Sequence, residues 1–361
     1  MIKKIVCIIC VLFPFAVYCP AIDINCTGTI PIDQKDVILQ RVMDFSVIDN
    51  EYFLFPDQKA GDIKIYDNKG NLVKVWGRRG PGPNEFLYPM YCDYQKPYFI
   101  LMDYGKSKLM VFKKDRELDY KKLSESLIVA LGYDFKFVHK EKILISGYKA
   151  DSNGKEYGLY FFNPQTGKPT FILPAYEKYG YSSQREYKSN YITKIAPIGI
   201  GGYCDYSKQN VYFAWMGNLK ILKTDIATKK ISYFGKQSGN YIRPRVTPRL
   251  LKLYNERSRE LKFEMQKFSY VTGIFTDDKF VALTYANFKR DVDGWQTIIQ
   301  LYTHDGDFLV EKILPGAVNT TPWADPSFCY VKEKNILYYL SRTMDEEFDD
   351  IYKILKFEII F

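Results

Sequence analysis

One unit recurs along the chain: an alternating strand, a tight turn, and a second strand. It is plainest at residues 62–77, DIKIYDNKGNLVKVWG, where Gly70 can supply the positive φ that a short hairpin turn demands. Counterparts are LMVFKKDRELDYKKL at 109–123, GLYFFNPQTGKPTFIL at 158–173, NLKILKTDIATKKISYFG at 218–235 and IIQLYTHDGDFLVEKIL at 298–314. Residues 351–361, IYKILKFEIIF, supply the first strand of such a unit only. A shorter strand pair precedes each hairpin. YCDYQKPYFIL (91–101) and YCDYSKQNVYFA (203–214) share a tetrapeptide. FSVIDNEYFLF (45–55), VTGIFTDDKFVAL (271–283) and FCYVKEKNILYY (328–339) follow the same pattern, and 133–146 follows it loosely.

These segments assemble into six units of four strands. A supersecondary unit that cannot bury its own faces must stack on its neighbours, and four-stranded units do so as the blades of a propeller. The expected fold is therefore all-β: a single six-bladed β-propeller over residues 22–361, with four-stranded antiparallel blades. The 31 Tyr and 25 Phe suit it, since flat rings pack well across pleated surfaces.

The repeat also places the cysteines. Ser46, Cys92, Cys204, Gly273 and Cys329 fall at matching places in the innermost strand, where converging blades favour small side chains. The cysteines are expected as small core residues, too far apart to form disulfides. There is no CxxC and no tight Cys/His cluster, which argues against a zinc site. The last unit lacks its fourth strand. An open edge there calls for a partner, and the segment between about Ile24 and Leu39 is the candidate.

The first 21 residues read as an export signal, with Lys3 and Lys4 ahead of an apolar run at 5–17. Cleavage after Ala21 and lipidation of Cys19 are the alternatives, and Tyr18 disfavours lipidation. A lipid anchor at Cys19 would be the only membrane attachment. The formal charge of +9 reads as dispersed over a solvated surface, which gives no sign of nucleic-acid binding.

The connection WGRRGPGPNEFLYP, residues 76–89, is dense in glycine and proline. It lacks the Gly-Lys-Ser/Thr of a phosphate loop and runs into a strand rather than a helix. It reads as a stiff crossing between blades. Gly77, Gly80, Gly82, Pro83, Glu85, Phe86 and Pro89 resemble the GPGEF-type signature of exported six-bladed propellers of Bacteroides-type bacteria, the TolB-like or NHL-like proteins. Asn84 stands where that pattern has glycine. The resemblance implies an extracytoplasmic protein of a Gram-negative envelope, in the periplasm or at the outer membrane or cell surface. It assigns no chemistry.

Two connections are long enough to carry function. Residues 174–202 hold Tyr179, Tyr181, Tyr187 and Tyr191, which could stack on sugar rings or grip a peptide. Residues 236–268 hold Arg243, Arg245 and Arg249. With Arg78 and Arg79 these could bind a carboxylate or sulfate. From Thr247 to Lys267 a helix is expected, capped by Thr247 and started by Pro248, with Leu250, Leu251, Tyr254, Leu261 and Met265 as its apolar stripe. The expected role is a monomeric, non-catalytic binding module without a cofactor, with a glycan, a peptide or an envelope protein as partner. The alternative is a channel-centred hydrolase or lyase, lactonase-like and calcium-dependent, using Asp44, Asp93, Asp134 and Asp205. Neither His139 nor His304 suits the base of a serine hydrolase.

Overall fold

The computed structural model describes residues 22–127, 132–174, 202–245, 247–256, 258–292, 294–319, 328–344 and 350–361. The expected export signal with Cys19, and the connection carrying Tyr179, Tyr181, Tyr187 and Tyr191, lie outside these residues.

The chain is an all-β propeller. The first sheet comprises Ser46–Ile48, Tyr52–Asp57, Asp62–Asp67 and Leu72–Trp76. The second comprises Pro89–Gln95, Tyr98–Asp103, Lys108–Arg116 and Asp119–Leu127. The third comprises Gly132–His139, Lys142–Ala150, Glu156–Phe162 and Pro169–Pro174. The fourth comprises Gly202–Ser207, Asn210–Trp215, Ile221–Asp225 and Ile231–Phe234.

Eight further strands form one sheet. Ser269–Thr276, Val281–Lys289, Gly294–Tyr302 and Phe308–Asn319 make one half. Phe328–Val331, Ile336–Met344, Asp350–Ile360 and Asp23–Pro31 make the other. The sequence predicts two separate sheets here. Among the described residues, the long strand Phe308–Asn319 joins them through one parallel pairing, Asn319 with Arg342, reinforced by Arg342 N donating to Asn319 Oδ1 at 2.7 Å.

The N-terminal segment closes this second half, as its open edge requires. Asp23–Pro31 runs antiparallel to Asp350–Ile360, from Asp23 opposite Ile360 to Pro31 opposite Lys353. It also fixes the turn of the first sheet, where Gly70 has φ +88° and a Cβ would lie 1.9 Å from the Pro31 carbonyl oxygen. Only glycine fits that turn and that approach.

Apolar side chains fill each junction between neighbours. Leu54 and Phe86 meet Leu101 and Phe112 between the first and second sheets. Met102 meets Phe135 and Ile145 between the second and third. Leu159 meets Phe213 and Leu222 at the next junction, and Ile221 meets Val271 and Leu283 at the one after. Ala282 and Leu301 pack on Leu337 and Phe357 within the eight-stranded sheet, while Tyr338 and Ile354 pack back on Phe45 and Phe53 of the first sheet. The ring is closed by burial as well as by hydrogen bonds.

This arrangement changes what alternation means. Inner strands are covered on both faces, so Ile63, Lys64, Ile65 and Tyr66 are all buried. Only outer strands such as Asp119–Leu127 alternate between exposed and half-buried positions.

The crossing at 76–89 is stiff, as its composition predicts. Arg78–Arg79 pairs in parallel with Glu85–Phe86. Glu85 accepts from Gly82 N and from Arg78 Nε, each at 2.7 Å. Phe86 is buried against Trp76, and at Gly77, where φ is +79°, a Cβ would strike the Phe86 ring at 2.3 Å.

The helical insertion is two helices rather than one: α1, Pro248–Asn255, and α2, Leu261–Met265. Thr247 caps α1 by accepting from Leu250 N at 3.1 Å. Leu250 and Met265 bury against Tyr270, Ala286 and Trp295, with Leu251, Tyr254 and Leu261 partly buried beside them. The apolar stripe is as expected, except that it folds back on itself after Glu256 and also buries Leu253.

Candidate functional site: the axial channel

The innermost strands surround a cavity of about 680 Å³. The four four-stranded sheets and both halves of the eight-stranded one contribute, and the lining includes Asp44, Asp93, Asp134, Lys136, Asp205 and Tyr330. Cys92 and Cys329 also line it. Burial pushes the Cys92 thiol well above its ordinary value and raises Cys329 to about 12, so both stay protonated and inert at neutral pH. Cys26, Cys92, Cys204 and Cys329 are all free thiols.

The four aspartates are interblade clasps. Asp44 accepts from Cys92 N at 3.0 Å, and Asp93 from Phe137 N at 2.7 Å. Asp134 accepts from Cys204 N at 2.8 Å, and Asp205 from Thr276 N at 2.6 Å. Each carboxylate thus satisfies an amide on the innermost strand of the next sheet. Their position near the channel was legible in the sequence; this repeated bond to the following blade was not.

Lys136 stands among them, and its ammonium makes no hydrogen bond or ion pair among the described residues. Burial pulls its ammonium down. The summed attraction of Asp134, Asp93, Asp205 and Asp44 outweighs that and holds it charged well above the ordinary lysine value. Burial raises Asp44 from 3.8 to about 8, against the pull of Lys136 and the Cys92 amide. Asp134 rises to about 6 for the same first reason, and Asp93 also rises. The wall therefore gains negative charge across the neutral range.

The sign for stability follows from linkage. These carboxyls hold their protons in the folded chain at pH values where the unfolded chain has released them. Their contribution is fully present below about pH 4 and is lost as pH rises through about 6 for Asp134 and about 8 for Asp44. Asp44→Asn keeps an oxygen for the Cys92 amide and removes the titration. Urea unfolding from pH 5 to 9 should show the natural chain losing stability steadily from pH 5 up to about pH 8, and the variant losing less. Equal slopes would exclude Asp44 as the source.

Among the described residues no group of three His, Cys, Asp or Glu side chains could hold a metal ion. The channel carboxylates are turned to backbone amides. His304 is structural: its ring nitrogens meet Tyr212 Oη at 2.7 Å and the Asp277 carbonyl at 2.8 Å.

The candidate arginines lie apart from the channel lining and in two groups. Arg78 is paired with Glu85, and Arg79 donates to the Lys59 carbonyl at 3.1 Å and covers the Tyr88 ring. Arg249 bridges α1 to Glu260 and Glu264. Arg243 and Arg245 are exposed. No hydrogen bond or ion pair joins the two groups among the described residues.

Fold and channel together define a β-propeller with a polar axial cavity. The chain is similar in structure to a member of the DUF4221 family from Bacteroides vulgatus, with a TM-score of 0.61 and 13% identity over 94% of this chain and 99% of that one. It is also similar to a protein of Bacteroides fragilis described as exported, with a TM-score of 0.57 and 12% identity over 95% and 97% of the two chains. At these identities the likeness is one of fold. No family model matches the chain. No curated protein matches it in sequence.

Proposed function

We propose that this is an extracytoplasmic six-bladed propeller that binds a small polar ligand, a glycan or a peptide, in its axial channel. The observation that carries the reading is the cavity of about 680 Å³ on the axis, walled by charged and tyrosine side chains from all around the ring. The count of six treats the two halves of the eight-stranded sheet as separate blades. Each half has four strands, and among the described residues they pair only at Asn319 with Arg342. Export is supported by the lysine-led apolar start of the sequence and by the GPGEF-like crossing at 77–89. No described helix is long and apolar enough to cross a membrane.

A second reading rests on Asp134 and Asp44. Carboxyls shifted to about 6 and about 8 beside a lysine form an acid–base set within one cavity. Hydrolase or lyase activity on lactones or esters, lost in Asp134→Asn, would favour it.

The test is a thermal-shift screen of residues 22–361 against soluble glycans and peptides. A ligand at about 100 times its Kd should stabilise by roughly 2.7 kcal/mol. Lys96 and Lys332 are exposed residues of the channel lining. Replacing both with alanine should weaken the shift while leaving the unliganded melting temperature intact. A ligand whose shift survives that change would place its site elsewhere.

A further inference from the structure

The charge of this chain is not evenly spread. Residues 236–267 hold nine Lys and Arg against three Glu, so this one connection carries six of the nine net positive charges. Its acids are already engaged: Glu260 and Glu264 pair with Arg249, Glu264 also with Lys267, and Glu256 with Lys252. Arg243, Arg245 and Arg259 are exposed and make no hydrogen bond or ion pair among the described residues.

Two large apolar side chains stand among these bases. Ile242 is 59% exposed and Phe263 is 64% exposed. Their exposure is not incidental to a loose loop. Ile242 is pinned by its carbonyl to Ser269 N at 2.7 Å and by its amide to Ser269 Oγ at 2.8 Å. Phe263 lies two residues before the buried Met265, about 200° around the helix, so α2 turns it away from the core. The inward faces of α1 and α2 are spent on Tyr270 and Trp295. Arg249, Lys252 and Arg259 of the same insertion are exposed like Phe263.

We propose that this insertion docks the propeller on an anionic lipid surface. The unpaired arginines would be attracted to acidic headgroups, and Phe263 and Ile242 would enter the acyl boundary. Basic charge supplies long-range attraction, and protruding apolar side chains supply area to bury; peripheral membrane association requires both. A soluble polyanion would reward the arginines alone.

The test is co-sedimentation of residues 22–361 with phosphatidylcholine vesicles, with and without phosphatidylglycerol. Binding is expected only with the anionic lipid and should fall with salt. Arg243→Ala and Arg245→Ala should each weaken it by about fivefold. Phe263→Ser should weaken vesicle binding and leave the melting temperature unchanged, since the side chain is exposed. Equal binding to neutral vesicles, or none to either, would overturn the proposal. So would indifference to Phe263→Ser combined with arginine-dependent binding of a sulfated polysaccharide, which would make the insertion a polyanion site.

Discussion

Asp57→Ala is expected to cost about 3–5 kcal/mol of folding stability, the range for breaking a buried ion pair. Asp57 is 0% exposed at the end of the second strand of the first sheet. It accepts from Gln40 N at 2.8 Å and Arg41 N at 3.1 Å, which ties the entering connection to the sheet. It also accepts from Lys59 N and Ala60 N, at 3.2 and 3.1 Å, and from Lys64 Nζ at 2.8 Å. The Lys64 side chain is 1% exposed, with Asp62 as its other partner. Alanine would leave an ammonium half-compensated and four amides without their acceptor. The check is urea unfolding of Asp57→Ala, Lys64→Met and the double variant. The double variant should be less destabilised than the sum of the singles, because removing both charges avoids an uncompensated one. A loss below about 1 kcal/mol for Asp57→Ala would mean that water replaces the carboxylate without penalty.

The second large effect is expected on removing residues 22–40. Ile24, Ile32 and Leu39 are buried, and each such side chain is worth about 1.5–3 kcal/mol. The sum, on the order of 5–9 kcal/mol, is comparable with the whole stability of a typical domain. The deletion also strips the partner from Asp350–Ile360 and opens a long strand edge. A chain starting at Arg41 should fail to fold, or should melt far below the full chain and aggregate. Matching melting temperatures would mean that the paired N-terminal strand contributes nothing to closure.

Much of the architecture was legible because it is written in local signals. The turns at Gly70 and the Asn163–Gly167 stretch rest on φ values and side-chain bonds within a few residues. The cap of α1 by Thr247 is equally local. What the sequence hid is contact between units. Asp44, Asp93, Asp134 and Asp205 each choose an amide 44 to 71 residues away, and no spacing rule announces that. Lys64 reads as the outward residue of an alternating strand, yet a neighbouring sheet covers that face and makes it a buried charge. The merging of two units into one sheet depends on how far the strand ending at Asn319 extends, which no turn residue fixes. The basic excess of 236–267 was present in the sequence but diluted by the whole-chain average.

The pairing of Asp23–Pro31 with Asp350–Ile360 also sets an order of events. A chain made from its N-terminus holds residues 23–31 without a partner until residues 350–360 exist. Throughout that interval the earlier sheets can form, but the ring cannot shut, and an unpaired strand waits exposed. Contacts of such sequence separation are slow to find. The interval before closure is therefore when this chain is most open to pairing with another molecule, and a helper that shields residues 23–31 would act there.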